Sequence, residues 1–401
     1  MLAMVGCGLG GTSLINANVA LEIDPRLFDA TPWPAEFRRD PALLDPYIAR
    51  ARQMLDPSPY PEDSEDFPPL NKLLALQKSA ATMKKPFMRP PIAVNFVDQV
   101  NPFGVAQPRC NLCGDCTSGC NVGAKNHTRM NYLPDAHGHG AQIFTGARVS
   151  HVERDGARWR VFFDEVALRG PEGPAAQAAA GRRSVTADVV MLGAGALGST
   201  EILLRSKANG LPLSDRLGQR FSGNGDVLAL GYNSYWQSDT DAQGQTVQRS
   251  INGVGMGRNE VAPADLPGPC ITGVIDMRQT AEVGNGLVIE EGVLPGALAT
   301  LLTPALFFAD AMLGGEFAYG APQAKSRLLD AQVLGEAVQN DPGCLTSLAY
   351  SGAVGRTQTY LVMSVDDAAG RLHLEDDRLR IAWPNAGASP TIVKDLSLIH
   401  I

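Results

Sequence analysis

The amino-acid sequence predicts a mixed α/β fold of two domains whose segments alternate along the chain. Its 401 residues are enough for two or three domains of about 100–200 residues each. Residues 189–208 have the pattern of a buried strand, a glycine turn and a helix, which is half of a βαβ unit. Residues 357–383 alternate apolar and polar side chains, as antiparallel strands do. Parallel and antiparallel signals in different regions favour two sheets in two domains.

The first predicted elements are helices. Apolar side chains recur at helical spacing over 41–56 and 71–84, and prolines separate the two stretches. Strand-like alternation follows over 142–156 and 158–170, and residues 169–183, rich in Ala, Gly and Pro, predict a surface loop.

The second half of the chain predicts further strands. Val189 to Leu192 is predicted to be the buried strand, and the helix after it carries Ile202 on its core side. A turn at Ala368–Gly370 is predicted to join the last antiparallel strands, with Leu379 and Ile381 on one face.

The longest uncharged stretch is the eighteen residues Gly292 to Ala309. Pro295 and Pro304 interrupt it, and acidic residues flank it where a spanning helix would carry Lys, Arg or aromatic residues. We therefore predict no transmembrane span. A buried core segment and an apolar wall or lid over a hydrophobic substrate both remain open.

Composition and charge exclude several classes of protein. Lys and Arg total 34 against 42 Asp and Glu, a net charge of −8, and no basic block occurs. Binding to nucleic acid or to an anionic membrane surface is therefore not expected. A hydrophobic fraction of 44% excludes disorder.

Four cysteines lie within eleven residues, at Cys110, Cys113, Cys116 and Cys120. The spacing x2, x2, x3 is that of a bacterial iron–sulfur run, although Asn121 stands where proline usually follows. Four thiolates could also bind zinc. A buried, redox-inert cysteine loop without metal is the interpretation that we place first, with an iron–sulfur cluster second.

Two glycine loops could approach a nucleotide. Residues 193–198 match the GxGxxG pattern of dinucleotide-binding folds, and Asp215 lies about 20 residues further on, where a ribose-binding acid is expected. Close packing of a helix on a strand explains these glycines equally well. In the other loop, Gly6, Gly8, Gly10 and Gly11 precede Thr12, and successive free N–H groups there could hold a pyrophosphate.

Taken together, four stretches resemble one family. They are GCGLGGTSLINANVAL from Gly6, CNLCGDCTSGCNVGAKNHTRMNYL from Cys110, GARVSHV from Gly146, and GALGSTEILLRSKANGLPLSDRLGQRFSGNGD from Gly195. In this order they are similar to the signatures of the glucose–methanol–choline (GMC) flavoprotein oxidoreductases, in the cholesterol-oxidase-like branch. The resemblance implies an FAD-binding Rossmann-like domain, incomplete in this chain, interleaved with a substrate domain built on an antiparallel sheet.

The resemblance also implies which residues bind FAD. Gly10, Gly11, Thr12 and Asn16 would line the flavin diphosphate, and Ala17 to Val19 would approach the isoalloxazine ring. Val149 would offer backbone groups to the adenine, and Gly195 would lie in the returning strand of the FAD domain. The domains implied are 1–27 with 128–226 for FAD, and 28–127 with 227–390 for the substrate.

By the same resemblance, the full protein oxidises an alcohol by hydride transfer to flavin N5. VIEEGVLP is similar to the sterol-oxidase stretch whose Glu moves a proton during double-bond migration, and the match falls on Glu290; a solvated surface acid is the alternative. We expect a hydrophobic secondary alcohol such as a 3-hydroxysteroid as the small-molecule substrate. A sugar or polyol dehydrogenase with an iron–sulfur cluster and an iron–sulfur electron-transfer module are the alternative functions.

Both ends of the sequence are expected to be truncated. The family's first βαβ unit would precede Met1, and its catalytic His and partner Asn or His would follow residue 390, so this chain alone is predicted to be inactive. Residues 396–401 (LSLIHI) are predicted to be a non-native read-through tail. The electron acceptor, compartment and subunit count are left open.

Overall fold

The structure is a computed structural model that describes residues 5–29, 33–62, 64–166, 181–232, 234–240, 246–256, 266–300, 355–384 and 386. The described residues belong to two compact units. Unit 1 draws on Met1–Thr12, Asp135–Gly225 and Asp366–Lys394, and unit 2 on Ser13–Pro134 and Asp226–Val365. Residues 366–384 thus cluster with unit 1, and residues 13–27 with unit 2. The assignment of an FAD domain and a substrate domain stays a prediction.

Helices and strands alternate along the described chain. The helices are α1 Ala35–Arg39, α2 Asp45–Leu55, α3 Asn71–Met83, α4 Tyr132–Gly138 and α5 Gly195–Ala208. The first seven strands are β1 Phe87–Met88, β2 Gln99–Val100, β3 Ala106–Gln107, β4 Ala147–Asp155, β5 Arg158–Glu165, β6 Arg182–Ala187 and β7 Val227–Gly231. The others are β8 Tyr235–Thr240, β9 Thr246–Ser250, β10 Val274–Met277, β11 Leu287–Gly292, β12 Gln358–Met363, β13 Arg371–Glu375 and β14 Arg378–Ala382.

Unit 2 is built on a five-stranded antiparallel sheet in the order β1-β10-β11-β12-β7. Helix α3 covers one face, where Leu76 and Ala80 pack against Ile275, Ile289 and other buried apolar residues of the sheet. Each Leu, Ile or Val side chain of this cluster, when fully buried, contributes about 1.5–3 kcal/mol relative to an exposed one. Helix α3 agrees with the helix that the spacing of apolar side chains predicts over 71–84, and α2 agrees with the helix predicted over 41–56.

A buried ion pair links α3 to the same face of the sheet. The Lys72 ammonium contacts the Glu291 carboxylate, and both side chains are almost completely inaccessible to solvent. The other Glu291 oxygen accepts hydrogen bonds from the backbone N–H groups of Thr272 (2.7 Å) and Gly273 (2.9 Å). Two buried charges are tolerated here because each has an opposite charge and further hydrogen bonds.

Unit 1 contains the three-stranded antiparallel sheet β4-β5-β6, helix α5 and the β13-β14 hairpin. Helix α5 is joined to β4 by the Ser206 hydroxyl, which accepts a hydrogen bond from the Val152 N–H at 2.9 Å. The hairpin is held at Gly218, whose carbonyl accepts from the Leu372 N–H at 2.7 Å. At Gly218, φ is +81° and an added Cβ would lie 2.2 Å from the Leu372 oxygen, so the contact requires glycine.

Two strand predictions are wrong. Val189 to Leu192 is not a strand, and its apolar side chains are exposed, Val189 by 74% and Met191 by 90%. The pattern of a buried parallel strand requires parallel neighbours, and every pairing between the named strands is antiparallel. No described strand pairs with residues 189–192.

The other error concerns the turn at Ala368–Gly370. Strand β12 pairs with β11 and β7, and β13 pairs with β14, so this turn does not join paired strands. The hairpin turn is formed by Asp376 and Asp377 instead, both with positive φ (50° and 56°), as a type I′ turn requires. The broader prediction of helices with antiparallel sheet agrees with the structure.

Within the part of the chain that the structure describes, no helix is both long enough and apolar enough to cross a membrane. Of the uncharged stretch 292–309, residues 292–300 are described; the remainder, the tail 396–401 and most of the predicted loop 169–183 lie outside the described residues.

Candidate active site

Glu290 lies at the centre of a row of side chains that crosses the unit 2 sheet. Directly paired residues on adjacent strands point to the same face, and the strand register places Met88, Val274, Glu290, Leu361 and Leu228 in line. Its neighbours in the row are all apolar. Because side chains alternate along a strand, Glu290 points away from α3 while Glu291 points toward it.

The Glu290 side chain is buried, with 2% of its surface exposed. It has no hydrogen-bond partner among the described residues. Burial raises the pKa of its carboxyl to about 7, and the charges of Glu291 and Asp226 add to this shift. A carboxyl whose pKa lies near neutrality can both accept and return a proton. The alternative interpretation as a solvated surface acid does not agree with this burial.

The face that carries Glu290 packs against part of the predicted flavin segment. Val274 and Val288 belong to one apolar cluster with Ala17 and Val19, and Cys116 is a buried member of the same cluster. At the β7 edge of the face, Leu228 is 72% exposed and Leu230 is 43% exposed. Unit 2 thus brings Glu290, Ala17 and Val19 together, although they are far apart in the sequence.

The first glycine loop of unit 1 turns tightly. Gly10 and Gly11 have φ of +116° and +57°, and the Gly11 N–H donates to the Gly8 carbonyl at 2.9 Å. A Cβ on Gly6 would lie 2.5 Å from the Gly11 oxygen, so the loop closes on itself only with glycine at position 6. Thr12, which follows, is exposed.

The loop leads into a 3₁₀ turn at Gly11–Leu14 and then into the remaining predicted flavin contacts. Asn16 is exposed, whereas Ala17 and Val19 are half-buried. Asn18 lies between them with a positive φ of 72° and is 3% exposed. Its amide lies beside the Cys116 thiol and lowers the thiol's pKa slightly, but neither amide atom makes a hydrogen bond of ordinary geometry in the described structure.

Val149 and Gly195 are both in unit 1. Val149 is half-buried on β4 opposite Phe163, where a β-bulge shifts the register before His151. Gly195 is the first residue of α5, with φ of +72°, and not part of a returning strand as the resemblance implied. The helix begins at Gly195, and the next two residues, Ala196 and Leu197, are strong helix formers. Asp215 is fully exposed and paired with Lys207 at 2.7 Å.

The four clustered cysteines form a loop that is mostly enclosed. Burial raises the pKa of the Cys113 thiol to about 11 and also raises that of Cys110 and Cys116, with smaller effects from the neighbouring thiols. Such thiols are protonated and poorly nucleophilic near neutral pH. In the residues that the structure describes, no three His, Cys, Asp or Glu side chains are arranged to bind a metal ion.

The glycine loop has features that suit FAD. A Cβ on Gly11 would have no atom within 4 Å, and the same holds at Gly195, so backbone at both positions borders open space. Bare backbone with positive φ beside open space is what a diphosphate needs for close approach. In unit 2, the half-buried Ala17 and Val19 offer the apolar surface that a flavin ring would cover. These residues therefore fit the group.

The burial of Glu290 predicts a pH dependence of stability. Its pKa is raised from 4.5 to about 7 in the folded state, so between these values only the unfolded chain releases the proton. The free energy of unfolding should fall across this window as pH rises, by up to about 3 kcal/mol, and this contribution should then level off. Urea unfolding on both sides of the window measures the effect. Glu290→Gln should lack this component of the fall, and an identical pH profile in both proteins would contradict it.

For the FAD contacts that the resemblance implies, the expected result is that Gly6→Ala weakens FAD binding about tenfold or more, because the Cβ would collide with the Gly11 carbonyl and open the loop. Quenching of flavin fluorescence during titration measures the dissociation constant. Gly138→Ala is the matched control, since Gly138 is also in unit 1 and an added Cβ there meets no atom within 4 Å. Equal FAD affinity in both variants would be inconsistent with a tight loop at Gly6.

Sequence comparison finds relatives of the kind that the motifs predict. A cholesterol oxidase from Acinetobacter baumannii is 25% identical over 269 residues, which cover 61% of this chain and 45% of that protein. A cholesterol oxidase from Mycobacterium tuberculosis (strain ATCC 25618 / H37Rv) is 29% identical over 244 residues, or 54% of this chain and 38% of that protein. The chain thus spans less than half the length of these relatives.

The family assignment has independent support. The family described as GMC oxidoreductase matches residues 1–222, which is more than half of the 401 residues. The family predicted from the four sequence stretches is confirmed, including its similarity to cholesterol oxidases. This chain belongs to the GMC oxidoreductase family.

Proposed function

We propose that this chain is part of an FAD-dependent alcohol oxidoreductase that acts on a hydrophobic secondary alcohol such as a 3-hydroxysteroid. The observation that supports this most is the position of Glu290, a buried acid in an apolar row on the sheet face that packs with Ala17 and Val19. The cholesterol oxidases among the relatives support the same substrate class. Oxidation of the CH–OH group is the reaction we assign to the full protein.

The residues of this chain that would bind FAD lie in both units. Gly10, Gly11, Thr12 and Asn16 would bind the FAD diphosphate through backbone and polar groups, and Ala17 to Val19 would face the ring. Val149 and Gly195 would contribute backbone contacts in unit 1. When bound, FAD would accept the hydride from the carbinol carbon at its N5.

The apolar row would bind the hydrocarbon body of the substrate. Leu361 lies beside Glu290 on this face, and the exposed Leu228 lies one strand further along the row. Contact with both would remove apolar surface from water on both molecules. The apolar surroundings of Glu290 also raise the pKa of its carboxyl, because the charged form is poorly solvated there.

Glu290 would move a proton within the ketone product. As a carboxylate, it would take a proton from C4 of a 5-en-3-one, and the resulting carboxylic acid would return the proton to C6. The double bond then lies between C4 and C5, conjugated with the carbonyl. The proton balance is closed, since the carboxylate is regenerated and no oxidant is consumed.

The absorption spectrum of the purified protein after incubation with FAD and removal of unbound flavin tests the cofactor. We expect resolved flavin bands at a stoichiometry near one. A broad brown thiolate-to-iron envelope without flavin bands would instead identify an iron–sulfur module and overturn the proposal. Binding of the substrate class is tested by a 3-hydroxysteroid that perturbs the bound flavin's spectrum, with a polyol of similar concentration as the control.

A further inference from the structure

We propose that Lys125 is a positioning residue that holds residues 14–19, the flavin segment, in the shape that FAD binding requires. This inference rests on the proposed function, because the segment's contact with flavin is part of that proposal. Lys125 lies in unit 2 together with the whole segment. Neither the glycine motifs nor the cysteine spacing points to it.

The contacts of Lys125 are specific. Its ammonium donates to the carbonyl oxygens of Leu14 at 3.0 Å, Asn16 at 2.6 Å and Cys116 at 3.2 Å. An ammonium has three N–H donors and no acceptor, so these three carbonyls use its full capacity. The side chain is 2% exposed. A buried cation bound to three main-chain carbonyls is costly to build, and it fixes the positions of all three carbonyls relative to one another.

Two of the three carbonyls belong to the flavin segment, and neighbouring contacts support the same segment. The Ser13 hydroxyl lies 3.1 Å from the Thr128 hydroxyl and accepts a hydrogen bond from the Thr128 N–H at 3.3 Å. On the other side, the Asn18 carbonyl accepts from the Ala93 N–H at 2.8 Å, and the Ala93 carbonyl accepts from the Asn126 N–H at 2.9 Å. Residues 125–128 therefore hold the segment both directly and through residue 93.

The third carbonyl connects the segment to the cysteine loop, residues 110–120. Besides its carbonyl contact with Lys125, Cys116 accepts a hydrogen bond at its sulfur from the Cys270 N–H at 3.4 Å. Asp115, its neighbour, accepts from the Gly296 N–H at 2.9 Å, just beyond the end of β11. The cysteine loop thus connects Lys125 to Cys270, which precedes β10, and to Gly296, which follows β11. Strand β11 carries Glu290 and pairs with β10. This gives the loop a structural role that needs no metal.

The test compares Lys125→Met with the wild type in two measurements. Lys125→Met keeps the length and apolar stem of the side chain but removes the three donors. We expect FAD affinity, measured by flavin fluorescence quenching, to fall about tenfold or more. In the FAD-free protein, hydrogen exchange of the backbone amides of residues 14–19 should become faster, whereas exchange in β11 should not change.

Two further variants separate positioning from general destabilisation. Lys72→Met removes the other lysine that is fully buried among the described residues. Lys72 pairs with Glu291 on the opposite face of the sheet, so FAD affinity should be retained wherever that variant is folded. Cys116→Ala removes the thiol but keeps the carbonyl that Lys125 binds, so it should affect FAD affinity much less than Lys125→Met.

The outcomes are distinct. Wild-type FAD affinity together with wild-type exchange in Lys125→Met would overturn the inference. If the wild type itself does not bind FAD, the proposed function fails, and the exchange measurement still decides whether Lys125 holds the segment. If Lys125→Met does not fold, Lys125→Arg decides, because a guanidinium cannot direct three donors from one nitrogen. Intermediate FAD affinity supports the inference in that case, and unchanged affinity overturns it.

Discussion

Glu290→Gln is expected to stop migration of the steroid double bond while leaving alcohol oxidation intact. The amide keeps the shape of the side chain but can neither take the C4 proton nor return it to C6. General acid–base catalysis by one side chain is typically worth about 10²–10⁴-fold, so a loss of that size is expected in the rate of isomerisation. Isomerisation needs no electron acceptor, and a 5-en-3-one supplied directly reports it through the ultraviolet absorbance of the conjugated product.

Oxidation and isomerisation must be measured separately for this prediction to be decisive. Oxidation of a 3-hydroxysteroid is followed by reduction of an added electron acceptor, in a protein that carries this chain and performs the oxidation. Glu282→Gln is the control, because it changes an acid of the same unit that lies in the loop before β11. Equal loss of both activities in Glu290→Gln would refute the assigned role.

Lys72→Met should lower the free energy of unfolding by about 3–5 kcal/mol, since it leaves the Glu291 carboxylate buried without its cation. The Thr272 and Gly273 N–H groups still donate to Glu291, but they do not replace a full positive charge. Urea unfolding followed by circular dichroism at neutral pH measures the loss.

The double variant Lys72→Met/Glu291→Gln completes a double-mutant cycle. It removes both charges, so it should recover a substantial part of the stability lost in the single variant. A loss below about 1 kcal/mol in Lys72→Met would contradict the account, because that is the size expected for an exposed ion pair.

The parts of the fold that depend on local patterns could be predicted from the sequence. Helices α2 and α3 follow from apolar spacing, and β13 and β14 from alternation. The failures depend on distant partners. Val189 to Leu192 has the composition of a buried strand, but composition does not specify which strand pairs with it. The hairpin turn at Asp376–Asp377 was missed because two aspartates are a weaker turn signal than Gly370.

The candidate site shows the same division. In the sequence, Glu290 and Glu291 are two equivalent acids. Because side chains alternate along a strand, Glu291 forms an ion pair with Lys72 on one face, and Glu290 lies in an apolar row on the other. Only the register of β10, β11 and β12 distinguishes them. Lys125 lies within the stretch that begins at Cys110, but no spacing there singles it out, and two of its three carbonyl partners are more than 100 residues away along the chain. The resemblance placed Ala17 and Val19 near the flavin, but their packing with the Glu290 face required the three-dimensional structure.

The central claim is that Glu290 is a buried proton carrier in an apolar row. Infrared difference spectra between the wild type and Glu290→Gln, recorded at a series of pH values, test this claim most directly. The stretching band of a protonated carboxyl should be present in the wild type, absent in the variant, and lost with a midpoint at about pH 7. A midpoint near 4.5, the ordinary value for a glutamate, would contradict the account.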